Sequence, residues 1–319
     1  MFAHLRALLA LSVLVALGAA CAHAPEAADA DSSVDPYTRE AKAEYNKAAA
    51  SLDSGDYPLA IQLFERVRTR YAYSEYGPLA EVGIADTLFA QGSFLEARQV
   101  YGSFAQLRPG HDAAEYAAFR EGLSLYRHAP KPILLFPPDY EKDLGSSAEA
   151  VKVLSGFLGA RPEGEYAAEA RGLVAELRRQ LADRELYVAD FYRRQGKWRG
   201  VVFRLEGVRR QYGGVGHDDR VRLELAEALL RQRSPEVERA RGLLEEVEGS
   251  TLATPKQQQR SVALKAEADK VEAALAEKAR AVEAKRAAEA AAEDEAAREA
   301  EEASPDAAPE APAAEGDAA

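Results

Sequence analysis

The sequence predicts an all-α protein, an α-solenoid of about five helix pairs, and three observations carry that prediction. Gly55, Tyr57, Ala60, Phe64 and Val67 recur in kind as Gly92, Phe94, Ala97, Tyr101 and Phe104, each 37 positions on. Between residues 36 and 254 the apolar residues return at helical spacing, punctuated by turns that contain Gly or Pro. Small residues, Ala48 and Ala60 in the first copy and Ala85 and Ala97 in the second, stand where two antiparallel helices have to approach closely.

This is a tetratricopeptide-type pattern: the Gly ends the first helix of each pair, and the large residues fill the gap between successive pairs. The first helix covers residues 36–53 with Tyr45, Ala48, Ala49 and Leu52 on one face. Gly55-Asp56 turns the chain, and Pro58 suits the first turn of a second helix that carries Leu59, Ile61, Leu63, Phe64 and Val67 and ends at Tyr71. The second pair covers residues 79–90 and 94–107, closed by Arg108-Pro109-Gly110, which cannot continue a helix. A third pair opens at residues 113–126 and is then interrupted. Its insertion, residues 129–145, surrounds Ile133-Leu134-Leu135-Phe136 with Pro130, Pro132, Pro137 and Pro138. It reads as a loop packed on its own repeat, with an exposed docking patch as the alternative.

Ala150, Leu154 and Phe157 then supply the partner helix, ended by Arg161-Pro162. Residues 165–195 fit one helix of about 45 Å or two helices bent near Ala182. Gly196-Lys197-Trp198 repeats the turn of the first pair, with Trp198 assigned to the core, and residues 201–212 follow as its second helix. Residues 221–231 and 235–247 make a last pair. Such an array points to a binding surface before an active site.

Both ends differ from this middle. Residues 1–20 have Arg6 near the start, an apolar run from Ala7 to Leu17 and small residues before Cys21, the pattern of a secretory signal. Cys21 is the only cysteine, so it forms no internal disulfide, and it stands where bacterial lipoproteins carry their diacylated cysteine. Lipidation at Cys21 is the economical expectation. Gly18 occupies the place where a lipoprotein cleavage motif usually has Leu, and the alternative is ordinary signal-peptidase cleavage near Ala22 to Ala24. Residues 21–35 read as a tether. Residues 255–319 hold no aromatic residue and are dominated by Ala, Glu, Lys and Arg. Of the formal charge of −12, residues 287–319 carry −10, so the acidity belongs to the tail. Residues 255–302 are expected as a solvated charged or coiled-coil-prone helix, with docking of that helix on a partner as the alternative, and 303–319 as a disordered end. Leu264, Val271, Leu275 and Val282 trace a heptad seam too weak for a stable coiled coil alone. On this expectation, removing residues 255–319 would leave the repeat domain, residues 36–254, nearly as stable as before.

No catalytic or cofactor constellation is visible. His4, His23, His111, His128 and His217 are never three or four residues apart, so no helical metal pair exists. Neither a P-loop nor a Gly-x-Ser-x-Gly run occurs, and no basic stripe with interleaved aromatics suggests nucleic acid. The chain is expected to be a non-enzyme without metal or cofactor. Tyr71 is read either as a core aromatic at a helix end or, because Tyr71, Tyr73 and Tyr76 fall within six residues, denser than a core needs, as part of a cluster that suits an extended peptide. Arg204 lies among the apolar residues Val201, Val202 and Leu205, one turn before Val208. It is read either as a solvated face residue or as an interface arginine leaving a packed face.

The run Val201-Val202-Phe203-Arg204-Leu205-Glu206-Gly207, the segment Glu185-Leu186-Tyr187-Val188-Ala189 with Phe191-Tyr192, and Arg70-Tyr71 carry a specific likeness; His111, Tyr116 and Gly122-Leu123 add to it. Together with the cysteine, the five repeats and the insertion in the third, they make residues 37–248 resemble the BamD (YfiO/ComL) family of outer-membrane lipoproteins. The resemblance implies a periplasm-facing scaffold subunit of the machine that inserts β-barrels into the bacterial outer membrane. It implies that the N-terminal half meets unfolded barrel clients through Tyr71, with Tyr73 and Tyr76 beside it. It also implies that the C-terminal half docks on a POTRA domain of a BamA-type barrel protein through Arg204, with Glu206 nearby. The chain departs from the family's pattern at Ala72, where Pro is usual, at Gly213, and at Phe203, where a polar residue is usual. A different periplasmic scaffold lipoprotein of the same architecture, tied to pilus secretin assembly or envelope coordination, is the alternative.

Overall fold

The structure, a computed structural model, describes residues 35–130 and 143–302. The expected signal, Cys21, the tether, the Ile133-Leu134-Leu135-Phe136 insertion and the end from residue 303 lie outside the described residues. The fold class is all-α. Eleven helices and no strand occur among the described residues. They are α1 (Pro36–Asp53), α2 (Tyr57–Arg70), α3 (Tyr76–Gln91), α4 (Phe94–Leu107), α5 (Ala114–His128), α6 (Gly145–Ala160), α7 (Ala167–Arg194), α8 (Trp198–Tyr212), α9 (Asp218–Arg231), α10 (Val237–Glu248) and α11 (Pro255–Glu302). The first ten fall into the five expected pairs, and residues 167–194 form one helix of 28 residues rather than two.

Local chemistry sets the ends. Asp35 accepts from the Thr38 N–H and Asp56 from the Leu59 N–H, each at 3.3 Å, so two exposed carboxylates satisfy donors in the first turns of α1 and α2. Gly55, Gly92 and Gly196, which close the first helices of three pairs, have φ of 80°, 91° and 67°, a region that a side chain disfavours.

The helices form two compact units. In the first, α1 to α3 enclose Ala41, Ala48, Ala60, Phe64, Val67, Tyr71, Ala80 and Ile84. Here the close approach rests on a residue with no side chain: a Cβ on Gly83 would stand 2.5 Å from the Phe64 ring. The Tyr45 ring meets Phe64 edge-on at 5.4 Å.

In the second unit, α4 to α11 pack each helix against the next in order. A continuous core runs from Ala182 and Leu186 of α7 through Val201, Leu205 and Val208 of α8 to Leu225, Leu229 and Leu244 of α9 and α10. Trp198 is half-buried against this core, as expected.

The expectation for α11 is corrected by the structure. The helix does reach Glu302, but its first turns are not a solvated tail: Leu264 is 0% exposed and shares the core of α9 and α10 with Ala268 and the partly buried Val271. Ser261 is buried as well and donates to the Leu244 carbonyl at 3.2 Å. Arg241 of α10 reaches Asp269 at 2.7 Å and Glu272 at 2.6 Å. Residues 261–271 thus complete the last pair as an eleventh helix, whereas residues 274–300 are exposed throughout. The terminal pair of a repeat array has an apolar outer face that needs a cover, and the expected boundary at residue 254 cuts between that face and its cover.

Candidate functional site

Tyr71, Tyr73 and Tyr76 take three different positions in the first unit. Tyr71 caps α2 and is 3% exposed. Its ring lies 5.3 Å from that of Tyr37, and its hydroxyl donates to the Glu40 carboxylate at 3.3 Å. Burial pushes the phenol pKa up, against the opposing pull of the adjacent Arg70. The Tyr71 carbonyl accepts the Ser74 N–H at 3.0 Å and the Ser74 hydroxyl at 2.8 Å, which folds residues 71–75 into a tight turn. Tyr73 rides that turn and is 98% exposed. Tyr76 opens α3 and packs back, its ring 5.5 Å from Tyr45. The three are therefore not one aromatic platform. Tyr73 is presented, while Tyr71 holds the turn that presents it.

In the second unit α8 buries Val201, Val202, Leu205 and Val208, so Phe203 falls on the opposite side of the helix and is 69% exposed. Arg204 flanks the buried stripe. Its guanidinium donates to Glu185 of α7 at 2.9 Å and stands 5.9 Å from the Phe203 ring. The hydrogen bond to Glu185 is the main cause that raises the arginine pKa, with Tyr192 adding a second bond. Tyr192 and the exposed Phe191 of α7 meet with ring centres 5.9 Å apart. Glu206 pairs with Arg239 of α10, which also reaches Glu236 at 3.1 Å.

Arg204 and Glu206 are thus each engaged by their own chain, through different neighbours. Both members of the Arg204–Glu185 pair keep about a third of their side-chain surface exposed, so the guanidinium is held in place with further donors to offer. An oriented arginine beside the exposed Phe203 ring can seat an apolar surface that carries a carboxylate. Sequence reasoning missed Phe203 and Glu185 as parts of this face. The signal for Phe203 was present: it lies two residues from both Val201 and Leu205, off their helical stripe.

Among the described residues no three His, Cys, Asp or Glu side chains group as metal ligands, and no helix is long and apolar enough to cross a membrane. The helix pairs define a tetratricopeptide-type repeat protein. The family model described as YfiO, outer membrane lipoprotein, matches residues 38–241, and the chain belongs to that family. It is similar to the outer membrane protein assembly factor BamD of Caulobacter vibrioides, 23% identical over 186 residues, 58% of each chain. It is also similar to BamD of Neisseria meningitidis serogroup B, 24% identical over 166 residues, 51% of this chain and 62% of that one. BamD of Vibrio cholerae is 24% identical over 174 residues, 53% and 70% of the two chains. The chain spans about six-tenths of the length of the first two of these relatives.

Proposed function

We propose that this protein is an outer-membrane assembly factor: a lipid-anchored, periplasm-facing scaffold, acylated at Cys21, that serves the machine inserting β-barrel proteins. The observation that carries the reading is the Glu185-held Arg204 beside the exposed Phe203 of α8, within the residues that the family model matches. A partner surface of a BamA-type POTRA domain docks there, supplying a carboxylate to the free edge of Arg204 and apolar atoms to Phe203. Extended segments of unfolded barrel clients meet the first unit at Tyr73, whose exposed ring stacks on aromatic side chains without prior rearrangement. The role is binding and positioning, not catalysis.

Affinity purification of the lipidated protein from detergent-solubilised envelope tests the reading. A BamA-type barrel protein is expected to co-purify, and an Arg204→Leu, Phe203→Ala double variant with an unchanged melting curve is expected to lose it. Recovery of a secretin or of envelope-coordination proteins instead, with no barrel-assembly protein, would replace this reading by the alternative scaffold role.

A further inference from the structure

At one edge of the second unit the α7–α8 turn and the α9–α10 turn lie side by side. Between them runs an open groove of about 620 Å³, lined by Gly196, Lys197, Trp198, Arg199, Gln232 and Arg233 among others. Elsewhere on α7 to α10 the arginines are largely answered by carboxylates of the same chain: Arg193 by Asp190 at 2.5 Å, Arg209 by Glu246 at 3.1 Å, Arg220 by Glu224 at 2.8 Å and Arg231 by Glu227 at 3.0 Å. In the groove that pattern stops. The side chains of Lys197, Arg199 and Arg233 are exposed and make no ion pair or hydrogen bond among the described residues. Glu236, the carboxylate that lines the groove, is turned to Gln232 at 3.0 Å and Arg239 at 3.1 Å. Three unanswered cations around one concavity repel each other and gather a local positive potential.

The chemistry of the lining narrows the occupant. Two guanidinium forks and one ammonium match the tetrahedral oxygens of a phosphate better than the spaced carboxylates of an acidic peptide. Trp198 is anchored in the core, and Arg231 stands 5.2 Å from its ring, which leaves an aromatic body and a polar edge at the groove. Trp with Lys and Arg is the composition of protein surfaces that rest at the membrane–water boundary. Gly196, at φ 67°, places no side chain in the way.

We propose that this groove binds the phosphate of an anionic phospholipid headgroup and so seats this edge of the second unit on a membrane surface. The contact is peripheral and independent of any acyl anchor. It does not depend on the docking face around Arg204.

The test uses the chain from residue 21 onward with Cys21→Ser, so that no acyl chain holds it to lipid. It is sedimented with phosphatidylcholine vesicles with or without phosphatidylglycerol, over a range of salt. Binding is expected only with phosphatidylglycerol and is expected to weaken as salt rises. Replacing Lys197, Arg199 and Arg233 together by Ala is expected to weaken partition on the order of 100-fold. Arg210→Ala, which also removes an exposed cation, is expected to leave it nearly unchanged. Melting curves of all variants are expected to coincide, since the replaced side chains are exposed.

Equal binding by the triple variant, or equal loss with Arg210→Ala, would overturn the site. Titration of inorganic phosphate without vesicle binding would overturn the membrane as source and leave a soluble phosphate. Vesicle binding that appears only after residues 303–319 are removed would show that the chain's own acidic end occupies the groove, which also overturns the proposal.

Discussion

Replacing Leu264 by Ala, in a helix whose composition reads as a solvated tail, is expected to lower the stability of the second unit by about 3 kcal/mol. Leu264 is fully buried between α9 and α10, and truncation of a buried Leu to Ala costs roughly 2–5 kcal/mol, part transfer and part cavity. The ion pairs alongside do not decide the outcome. Arg231–Glu267 at 3.4 Å, Lys265–Glu248 at 2.6 Å and Arg260–Glu227 at 3.0 Å are partly exposed, and pairs of this kind contribute about 0–1 kcal/mol each. For a unit of this size a loss of about 3 kcal/mol lowers the thermal midpoint by roughly 6–12 °C. Val282→Ala, on the same helix where the side chain is exposed, is expected to stay within about 0.5 kcal/mol of the parent. The assay is a thermal melt by circular dichroism, with hydrogen exchange to localise the change. Protection is expected to fall first in α9 and α10, because in a repeat array each unit is supported by its neighbours. A chain ending at Thr254 that melts within a degree of the full chain would refute the reasoning outright.

Other outcomes follow from the same geometry. Gly83→Ala is expected to destabilise the first unit by about 1–3 kcal/mol although Ala is the better helix former by about 1 kcal/mol, because its Cβ collides with Phe64; an unchanged urea midpoint would mean that the Phe64 ring gives way freely. Tyr71→Ala should cost about 3–5 kcal/mol and Tyr71→Phe only about 0.5–1.5 kcal/mol, measured by denaturant unfolding, since the ring is core and the hydroxyl has a single long bond to Glu40. Burial is the largest cause raising the pKa of Tyr45, Tyr71 and Tyr76 above 10.0. Raised folded values mean that their contribution is complete below the unfolded pKa and is lost as pH climbs through the folded one, so this tyrosine contribution to the melts of the first unit should fall on the alkaline side. Arg204→Leu should weaken a POTRA-bearing partner by roughly 2 kcal/mol, the low end for a paired interfacial charge because Glu185 already shares it, with the melting curve preserved; equal binding in a titration would remove Arg204 from the interface.

The helices of this fold were legible because their signals are local. Gly55, Gly92 and Gly196 end helices through their own backbone, and Asp35 and Asp56 cap the helices that directly follow them. What depends on distant partners was not legible. Ser261, Leu264, Ala268 and Val271 make a narrow stripe of mostly small residues, and only the acceptor surface on α9 and α10 turns that stripe into core. The same holds for the candidate sites. Tyr71 is taken out of reach by Tyr37 and Glu40, more than thirty positions upstream, and Arg204 is claimed by Glu185, nineteen positions away on the preceding helix. The groove cations were equally hidden, because Lys197 and Arg199 come together with Arg233 only when two turns are placed edge to edge.

The far part of α11 makes the helix a mechanical pointer. From its ion pair with Arg241 at Glu272 it runs 30 residues further to Glu302, about 45 Å at the helical rise. A tilt of about 10° at the seat formed by Ser261, Leu264 and Ala268, about 57 Å from the end of the helix, would carry Glu302 through about 10 Å. Two dyes, one near Glu302 and one on α9, would register by energy transfer a change in the last repeat too slight for dyes on adjacent helices to follow.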